Sequence, residues 1–192
     1  MDYRKEYEKW LASPALSEDE RAELKALEGN DKEIKARFYG PLEFGTAGLR
    51  GTMYTGLHNM NRHVIRWATQ GFANVIRAEG TEAMQKGVAV CMDCRNHSAE
   101  FARETACVMA ANGIHVRLFE SLRPTPELSF AVREYGCQAG VNVTASHNPK
   151  EYNGYKVYWA DGAQLPPQHA AAIADELTRI DIFTGVQSMD YE

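Results

Sequence analysis

Positive charge, cysteine and long apolar runs are all scarce in this sequence, and each scarcity excludes a class of protein. Lysine and arginine number 21 against 26 aspartates and glutamates, a net charge of −5, so no broad basic surface is available for nucleic acid or an anionic membrane. Four cysteines in 192 residues do not suggest a disulfide scaffold, and a reducing cytoplasm is the simplest setting. No apolar run approaches the roughly 18 residues that cross a bilayer. The charged, aromatic N-terminus is unlike a secretory signal.

The first 39 residues are predicted to form a helical extension. Tyr3, Tyr7 and Trp10 recur at helical spacing, which gives one apolar face. Ser17, with a glutamate three residues later, is typical of the start of a second helix. Because no convergent polar side chains accompany these features, we interpret residues 1–39 as structural.

Strands and helices alternate from about residue 52 to 180, which indicates an α/β domain. Strands are predicted at 87–92, 114–120, 139–145 and 155–160, and helices at 62–79, 99–112, 165–180 and, after a loop, within 123–136. Ser98 is expected to cap the helix at 99–112. We predict that residues 40–192 form one domain, with a mixed, mainly parallel sheet sandwiched between helices. Ligands of such sheets gather where strands end.

One strand end is the segment VNVTASHNP, where Ser146 and His147 precede an Asn-Pro turn. The serine is either an ordinary turn residue or a nucleophile held at the end of a rigid strand. A serine hydrolase is the weaker functional hypothesis, because the G-x-S-x-G frame is missing. A histidine next to the serine on an extended segment would also point to the opposite face. A serine that carries a phosphoryl group needs only positioning, cations and a metal ion.

Two further segments carry candidate cations. In FGTAGLRG, residues 44–51, Arg50 follows closely spaced glycines, which predicts either a mobile turn or a guanidinium on flexible backbone that grips phosphate. In NGYK, Asn153-Gly154 is a typical turn dipeptide. Lys156 just beyond it is by default a solvated charge, but a hairpin could hold it beside Ser146 for proton transfer.

The pair Cys91 and Cys94 matches C-x-x-C, but no helix start or further ligand completes a redox or zinc site. Cys91 and Cys107 are better interpreted as small core residues. Asp93 lies between the two cysteines and Arg95 directly follows them. Both are of more interest, as polar residues at the end of a strand.

The motifs TASHNP, FGTAGLRG and SHNPKEYNGYKVY closely resemble the α-D-phosphohexomutases, the phosphoglucomutase/phosphomannomutase family. The resemblance covers essentially the whole chain, and it matches the first of the four domains of that family. The N-terminal extension, LEFGTAGLRG and LRPTPELSFAV are most similar to the branch of bacterial phosphoglucomutases and relatives acting on pentose 1-phosphates. The implied fold is that of the phosphoglucomutase first domain, an α/β sheet layered between helices.

The resemblance implies a function for Ser146. It would be a phosphoserine that gives its phosphoryl group to a hexose monophosphate, forms a bisphosphorylated sugar and recovers the other phosphate. Glucose 1-phosphate and glucose 6-phosphate are the expected pair, with mannose or pentose phosphates as alternatives, and glucose 1,6-bisphosphate is the expected activator. The phosphate on Ser146 would be one ligand of an essential Mg²⁺.

The resemblance also assigns roles around the serine. Lys156 and Arg50 fall on positions that support proton transfer or the phosphoserine, and His147 belongs to the same catalytic loop. The expected substrate contacts are Thr46 and Asn148, together with Arg50 and Lys156.

The sequence departs from the family pattern in what it lacks. The aspartate-rich D-G-D-x-D loop that supplies the other metal ligands is absent from these 192 residues, as are the sugar-recognition and C-terminal phosphate-binding loops. We therefore expect an isolated N-terminal domain with little or no mutase activity of its own. A serine hydrolase, and a non-enzymatic domain that binds a partner through the helical extension, stay open as alternatives.

Overall fold

The computed structural model describes residues 2–191 as five strands among eight helices. In chain order these are α1 Tyr3–Ala12, α2 Glu18–Lys25, α3 Asp31–Phe38, β1 Leu49–Thr52, α4 Arg62–Ala78, α5 Thr81–Lys86, β2 Val88–Met92, α6 Ser98–Ala111, β3 Val116–Leu118, α7 Thr125–Glu134, β4 Ala139–Val143, β5 Tyr152–Trp159 and α8 Pro167–Leu177. None of the helices within residues 2–191 combines the length and apolarity needed to cross a membrane.

The strands form one sheet in the order β1-β5-β4-β2-β3. The pairs β4–β2 and β2–β3 are parallel, whereas β5 runs antiparallel to both β4 and β1. Only β5 is reversed, so the prediction of a mixed, mainly parallel sheet is confirmed. The reversal of β5 makes β4 and β5 a hairpin, and the segment between them contains Ser146.

The two faces of the sheet differ in their cover. Side chains alternate between faces along a strand, and Tyr155 of β5 points to α4, where its hydroxyl lies 3.0 Å from Thr69 Oγ1. Tyr158 points to the other face and packs in a small buried cluster with residues of α7. Lys156, two positions before Tyr158, and Arg50, through the pairing register of β1, lie on this α7 face. The two predicted cations therefore share one side of the sheet.

The helical extension packs against the rest of the chain. Trp10 is fully buried, and its ring meets Phe38 and His63 edge-on at centroid distances of 5.7 and 5.6 Å. The capping interaction predicted for Ser17 is present in both directions with Glu20, at 3.2 and 2.8 Å. Side chains of the extension belong to the same hydrophobic core as the sheet. The division into 1–39 and 40–192 stays a prediction.

The predicted turn at Asn153-Gly154 is wrong, because both residues lie inside β5. Asn153 is fully buried and donates from Nδ2 to the carbonyl of Asn96 and to Ser98 Oγ, both at 3.0 Å. A Cβ added to Gly154 would lie 2.6 Å from the carbonyl oxygen of Thr144, closer than packed atoms approach. The glycine is required by the backbone that follows β4, and the turn of the hairpin comes earlier in the chain, between β4 and β5.

Candidate functional site

Ser146 lies in the connection between β4 and β5, residues 144–151, called here the serine loop. Its φ is 57°, in the left-handed region, which costs a non-glycine residue roughly 1–2 kcal/mol. The backbone N–H of Ser146 donates to Thr144 Oγ1 at 3.0 Å. The side chain itself is exposed. A strained backbone and an exposed hydroxyl at the end of a buried strand are typical of functional positions.

His147 lies closer to the serine than the sequence suggested. Ser146 Oγ and His147 Nδ1 are 3.4 Å apart, because the left-handed backbone at Ser146 ends the alternation of an extended segment. This distance exceeds the roughly 2.6–3.2 Å of a poised general base. Among the hydrogen bonds of residues 2–191, none joins His147 to an acid that would orient it. The pair therefore does not form a hydrolase triad.

Arg50 and the serine loop meet directly. Arg50 Nη1 donates to Asn148 Oδ1 at 3.1 Å, although the two residues are 98 positions apart in the chain. The flexible backbone expected at Arg50 is wrong, since the residue is paired within β1. Gly48 allows the backbone before β1 to approach β5 closely. Its φ is +79°, and an added Cβ would lie 1.8 Å from the carbonyl oxygen of Tyr155. Thr46 is exposed in the preceding Gly45–Gly48 turn.

Lys156 is half-buried in β5, where it pairs with Asn142 of β4. The described residues provide Lys156 with no hydrogen bond or ion pair to Ser146, so its place beside the serine stays a prediction. Asn142 is 1% exposed and donates from Nδ2 to Thr125 Oγ1 at 2.7 Å. Its Oδ1 has no hydrogen-bond partner within residues 2–191. An unused buried acceptor thus lies on the same face as Lys156.

A polar network connects the loop after β2 to β5. Asp93 Oδ1 accepts hydrogen bonds from Ser98 Oγ at 2.9 Å and from the N–H of Arg95 at 3.0 Å. Ser98 Oγ in turn accepts from Asn153 Nδ2 at 3.0 Å. The prediction of Ser98 as the helix cap is wrong by one position, because His97 occupies that place with a φ of 61°. The Ser98 hydroxyl belongs to this network instead.

Arg95 is the residue whose role sequence analysis missed. Its guanidinium donates to backbone carbonyls of the serine loop and of the first residue of β5. No local pattern predicts these bonds, because the partners are 51–57 positions away. The available signal was topological: Arg95 follows β2, and in a parallel sheet the end of β2 lies beside the end of β4.

The C-x-x-C motif is not arranged as a reactive cysteine pair, because only one of its two thiols reaches the surface. Cys91 is fully buried, and burial, assisted by the charges of Glu127 and Asp93, raises its pKa to about 12. A thiol with such a pKa is not a nucleophile near neutral pH. Cys107 is also buried, as predicted for a core residue, whereas Cys94 is exposed.

The described residues do not form a metal site by themselves. Within residues 2–191, no group of three or more histidine, cysteine, aspartate and glutamate side chains is arranged to hold a metal ion. A cleft of about 320 Å³ lies between α2 and the start of α6, lined by acidic residues that include Glu20 and Glu23, and it does not include Ser146. A magnesium ion at Ser146 would need ligands other than these.

Comparison with known proteins shows which family this chain is similar to. Residues 41–182 match the family model described as phosphoglucomutase/phosphomannomutase, alpha/beta/alpha domain I. The human phosphopentomutase is 41% identical over 156 residues, which cover 78% of this chain and 26% of that protein. The phosphoglucomutase of Staphylococcus aureus strain USA300 is 43% identical over 169 residues, 84% of this chain and 30% of that protein.

The fold comparison agrees with the sequence comparison. The solved structure of the Paramecium exocytosis-sensitive phosphoprotein pp63/parafusin, a phosphoglucomutase, matches with a TM-score of 0.62 and 26% identity, over 74% of this chain and 27% of that one. The chain therefore spans roughly 26–30% of the length of the relatives it matches.

Proposed function

The chain belongs to the phosphoglucomutase/phosphomannomutase family, and on this premise we propose that it is the domain of a phosphosugar mutase that carries the transferred phosphoryl group on Ser146. The observation that carries the proposal is the geometry of Ser146: an exposed hydroxyl, in a strained left-handed conformation, at the end of a buried strand. Asn148, two residues after Ser146, accepts a hydrogen bond from Arg50, which brings a cation to the same loop. Because the chain spans under a third of its relatives, the complete enzyme would need further domains.

In the proposed reaction, a hydroxyl oxygen of the sugar monophosphate attacks the phosphorus on Ser146. The new sugar O–P bond forms as the bond between phosphorus and Ser146 Oγ breaks, and the hydroxyl proton leaves to a base. The bisphosphorylated sugar then returns its other phosphoryl group to Ser146 Oγ. Catalysis of this kind depends on positioning and on neutralising charge. Magnesium would neutralise charge on the phosphoryl oxygens, with one ligand from the phosphate on Ser146 and the others from outside residues 2–191.

The roles proposed for the neighbouring residues follow from their places. Arg50 would bind phosphoryl oxygens, since its planar fork suits phosphate, and Lys156 on the same face would assist proton transfer. His147 would contact the phosphorylated serine, and Asn148 would help to bind substrate while it holds Arg50. Thr46, in the exposed turn before β1, would contact substrate from the other side of the loop.

The preferred substrate pair is proposed to be glucose 1-phosphate and glucose 6-phosphate, with glucose 1,6-bisphosphate as the activator that phosphorylates Ser146. The relatives named phosphopentomutase support pentose phosphates as the alternative. Parallel assays of the complete enzyme with glucose 1-phosphate and ribose 1-phosphate decide between them through the ratio of kcat/KM. A cytoplasmic setting is part of the same proposal.

The decisive experiment is Ser146→Ala in the complete enzyme, with Ser121→Ala as a matched control because Ser121 is also exposed and follows a parallel strand. We expect Ser146→Ala to abolish mutase activity and the phosphopeptide detected by mass spectrometry, and Ser121→Ala to retain both. An active, unphosphorylated Ser146→Ala enzyme contradicts the proposal. Labelling of Ser146 by a fluorophosphonate probe would instead support the hydrolase hypothesis, which the 3.4 Å separation from His147 disfavours.

A further inference from the structure

The carbonyl groups of the serine loop converge on one guanidinium. Arg95 Nη1 donates to the carbonyls of Pro149 at 2.9 Å and Tyr152 at 3.0 Å. Its Nη2 donates to the carbonyls of Ser146 at 2.8 Å and Asn148 at 2.6 Å. The side chain is only 12% exposed. One half-buried cation thus holds three carbonyls of the serine loop and the carbonyl of the first residue of β5.

The geometry requires an arginine. A guanidinium is planar and has five N–H donors in a fixed arrangement, so it can bind four carbonyl oxygens at once. A lysine has only three donors, all on one nitrogen. The remaining donor, Nε, lies 3.6 Å from Asp93 Oδ2, whose negative charge partly balances that of the half-buried guanidinium. Asp93 is itself held by Ser98 Oγ at 2.9 Å. Arg95 therefore reaches the loop from a support that is already fixed.

The bond to the carbonyl of Ser146 bears directly on its conformation. A left-handed φ at a serine persists only when the surrounding structure determines it. The N–H of Ser146 is held by Thr144 Oγ1 at 3.0 Å, and its carbonyl by Arg95 at 2.8 Å. The two bonds fix the peptide groups on either side of Cα, and with them the direction of the Cα–Cβ bond that carries the hydroxyl. Arg95 has no hydrogen bond to the Ser146 hydroxyl, so it acts through the backbone.

We propose that Arg95 is a positioning residue for phosphoryl transfer: it holds the serine loop so that Ser146 keeps its left-handed conformation and its Cβ, which carries the hydroxyl, stays in one place. This inference rests on the proposed function of Ser146. It predicts an effect on turnover rather than on substrate binding, because displacement of a reacting atom by about 1 Å can lower the rate on the order of 100-fold.

The test compares Arg95→Ala and Arg95→Lys in the complete enzyme. The matched control is Arg21→Ala, since Arg21 also donates to two backbone carbonyls, those of Leu11 and Ser13, but in the helical extension. We expect Arg95→Ala to lower kcat about 100-fold while KM changes little, and to accelerate amide hydrogen exchange in residues 144–151. Arg95→Lys should stay well below wild-type kcat, because the charge alone does not replace the fork.

Two outcomes would overturn the inference. Wild-type kcat in Arg95→Ala or in Arg95→Lys would show that the four-carbonyl geometry is not needed. Equal losses of Tm and kcat in Arg95→Ala and Arg21→Ala, with no selective exchange in the serine loop, would reduce Arg95 to a general stabilising residue. Ser146→Ala separates the two proposals: if it is inactive while Arg95→Ala is fully active, only the role of Arg95 fails, whereas an active Ser146→Ala removes the proposed function itself.

Discussion

The link between the helical extension and α4 gives a prediction with a definite magnitude. Glu20 of α2 lies 3.1 Å from His63 Nε2 of α4, and the two side chains are 16% and 4% exposed. Burial works to raise the pKa of Glu20, but the close approach of His63, together with the N–H and hydroxyl of Ser17, outweighs it and lowers the pKa from 4.5 to about 2. At about 1.4 kcal/mol for each pKa unit the full shift would correspond to about 3 kcal/mol. Because Glu20 is partly exposed to solvent, which screens the interaction, we expect a contribution of about 1–2 kcal/mol.

The perturbation is Glu20→Gln, since glutamine keeps the shape of the capping interaction but not the charge. The control is Glu18→Gln, an exposed carboxylate in the same first turn of α2, which removes the same interaction with the helix dipole. Urea unfolding at pH 7 should show a loss of about 1–2 kcal/mol for Glu20→Gln and at most about 0.5 kcal/mol for Glu18→Gln.

The pH dependence provides the second half of the test. Because the folded pKa of Glu20 is depressed, its contribution is complete above about pH 4.5 and is lost as the pH falls towards 2. The difference between wild type and Glu20→Gln should therefore shrink between pH 5 and pH 2–3. A difference that does not change with pH, or equal losses in the two variants, would refute the assignment of the stabilisation to the Glu20–His63 pair.

Three further predictions concern the serine loop and its neighbours. Gly48→Ala should destabilise the fold by more than about 3 kcal/mol. Its control, Gly29→Ala, should cost only about 1–2 kcal/mol, because Gly29 has a similar φ of +82° but no atom within 4 Å of the added Cβ. Equal costs in urea unfolding would contradict the close approach of Gly48 to Tyr155. Ser146→Gly should raise the free energy of unfolding by about 0.5 kcal/mol, since relief of left-handed strain exceeds the added entropy of the unfolded chain, and a loss of 1 kcal/mol would contradict the strain. Purified residues 1–192 should not convert glucose 1-phosphate to glucose 6-phosphate in a coupled assay with Mg²⁺, and robust turnover would contradict the need for further domains.

The elements set by local pattern could be predicted from sequence. The stripe of apolar residues at helical spacing marks α4 at Arg62–Ala78, close to the predicted 62–79. The short apolar run at 87–92 marks β2, which is buried along its whole length. In both cases the signal lies within one element, because burial of a helix stripe or a central strand imposes a periodicity on neighbouring residues.

The features set by distant contacts could not be predicted in this way. Asn153-Gly154 has the composition of a turn, but the carbonyl of Thr144 just after β4 and the loop after β2 determine its place within β5. The sequence did not predict β1, because its four residues contain a glycine and an arginine and so lack the pattern of a strand. Pairing with β5 is what holds β1 extended. The contacts of Arg95 depend on which strands are neighbours, and the motif that surrounds Ser146 does not contain that information.

The reversed direction of β5 has a consequence for how a phosphoryl group would reach the two oxygens of the sugar. Both ends of the serine loop continue into paired strands, β4 and β5, and its carbonyls are held by Arg95. A phosphoryl group on Ser146 would therefore be donated from one place in the fold. Under the proposed function, the enzyme could not carry the group from one sugar position to the other, so the sugar would have to rotate and bring each oxygen in turn to the same place.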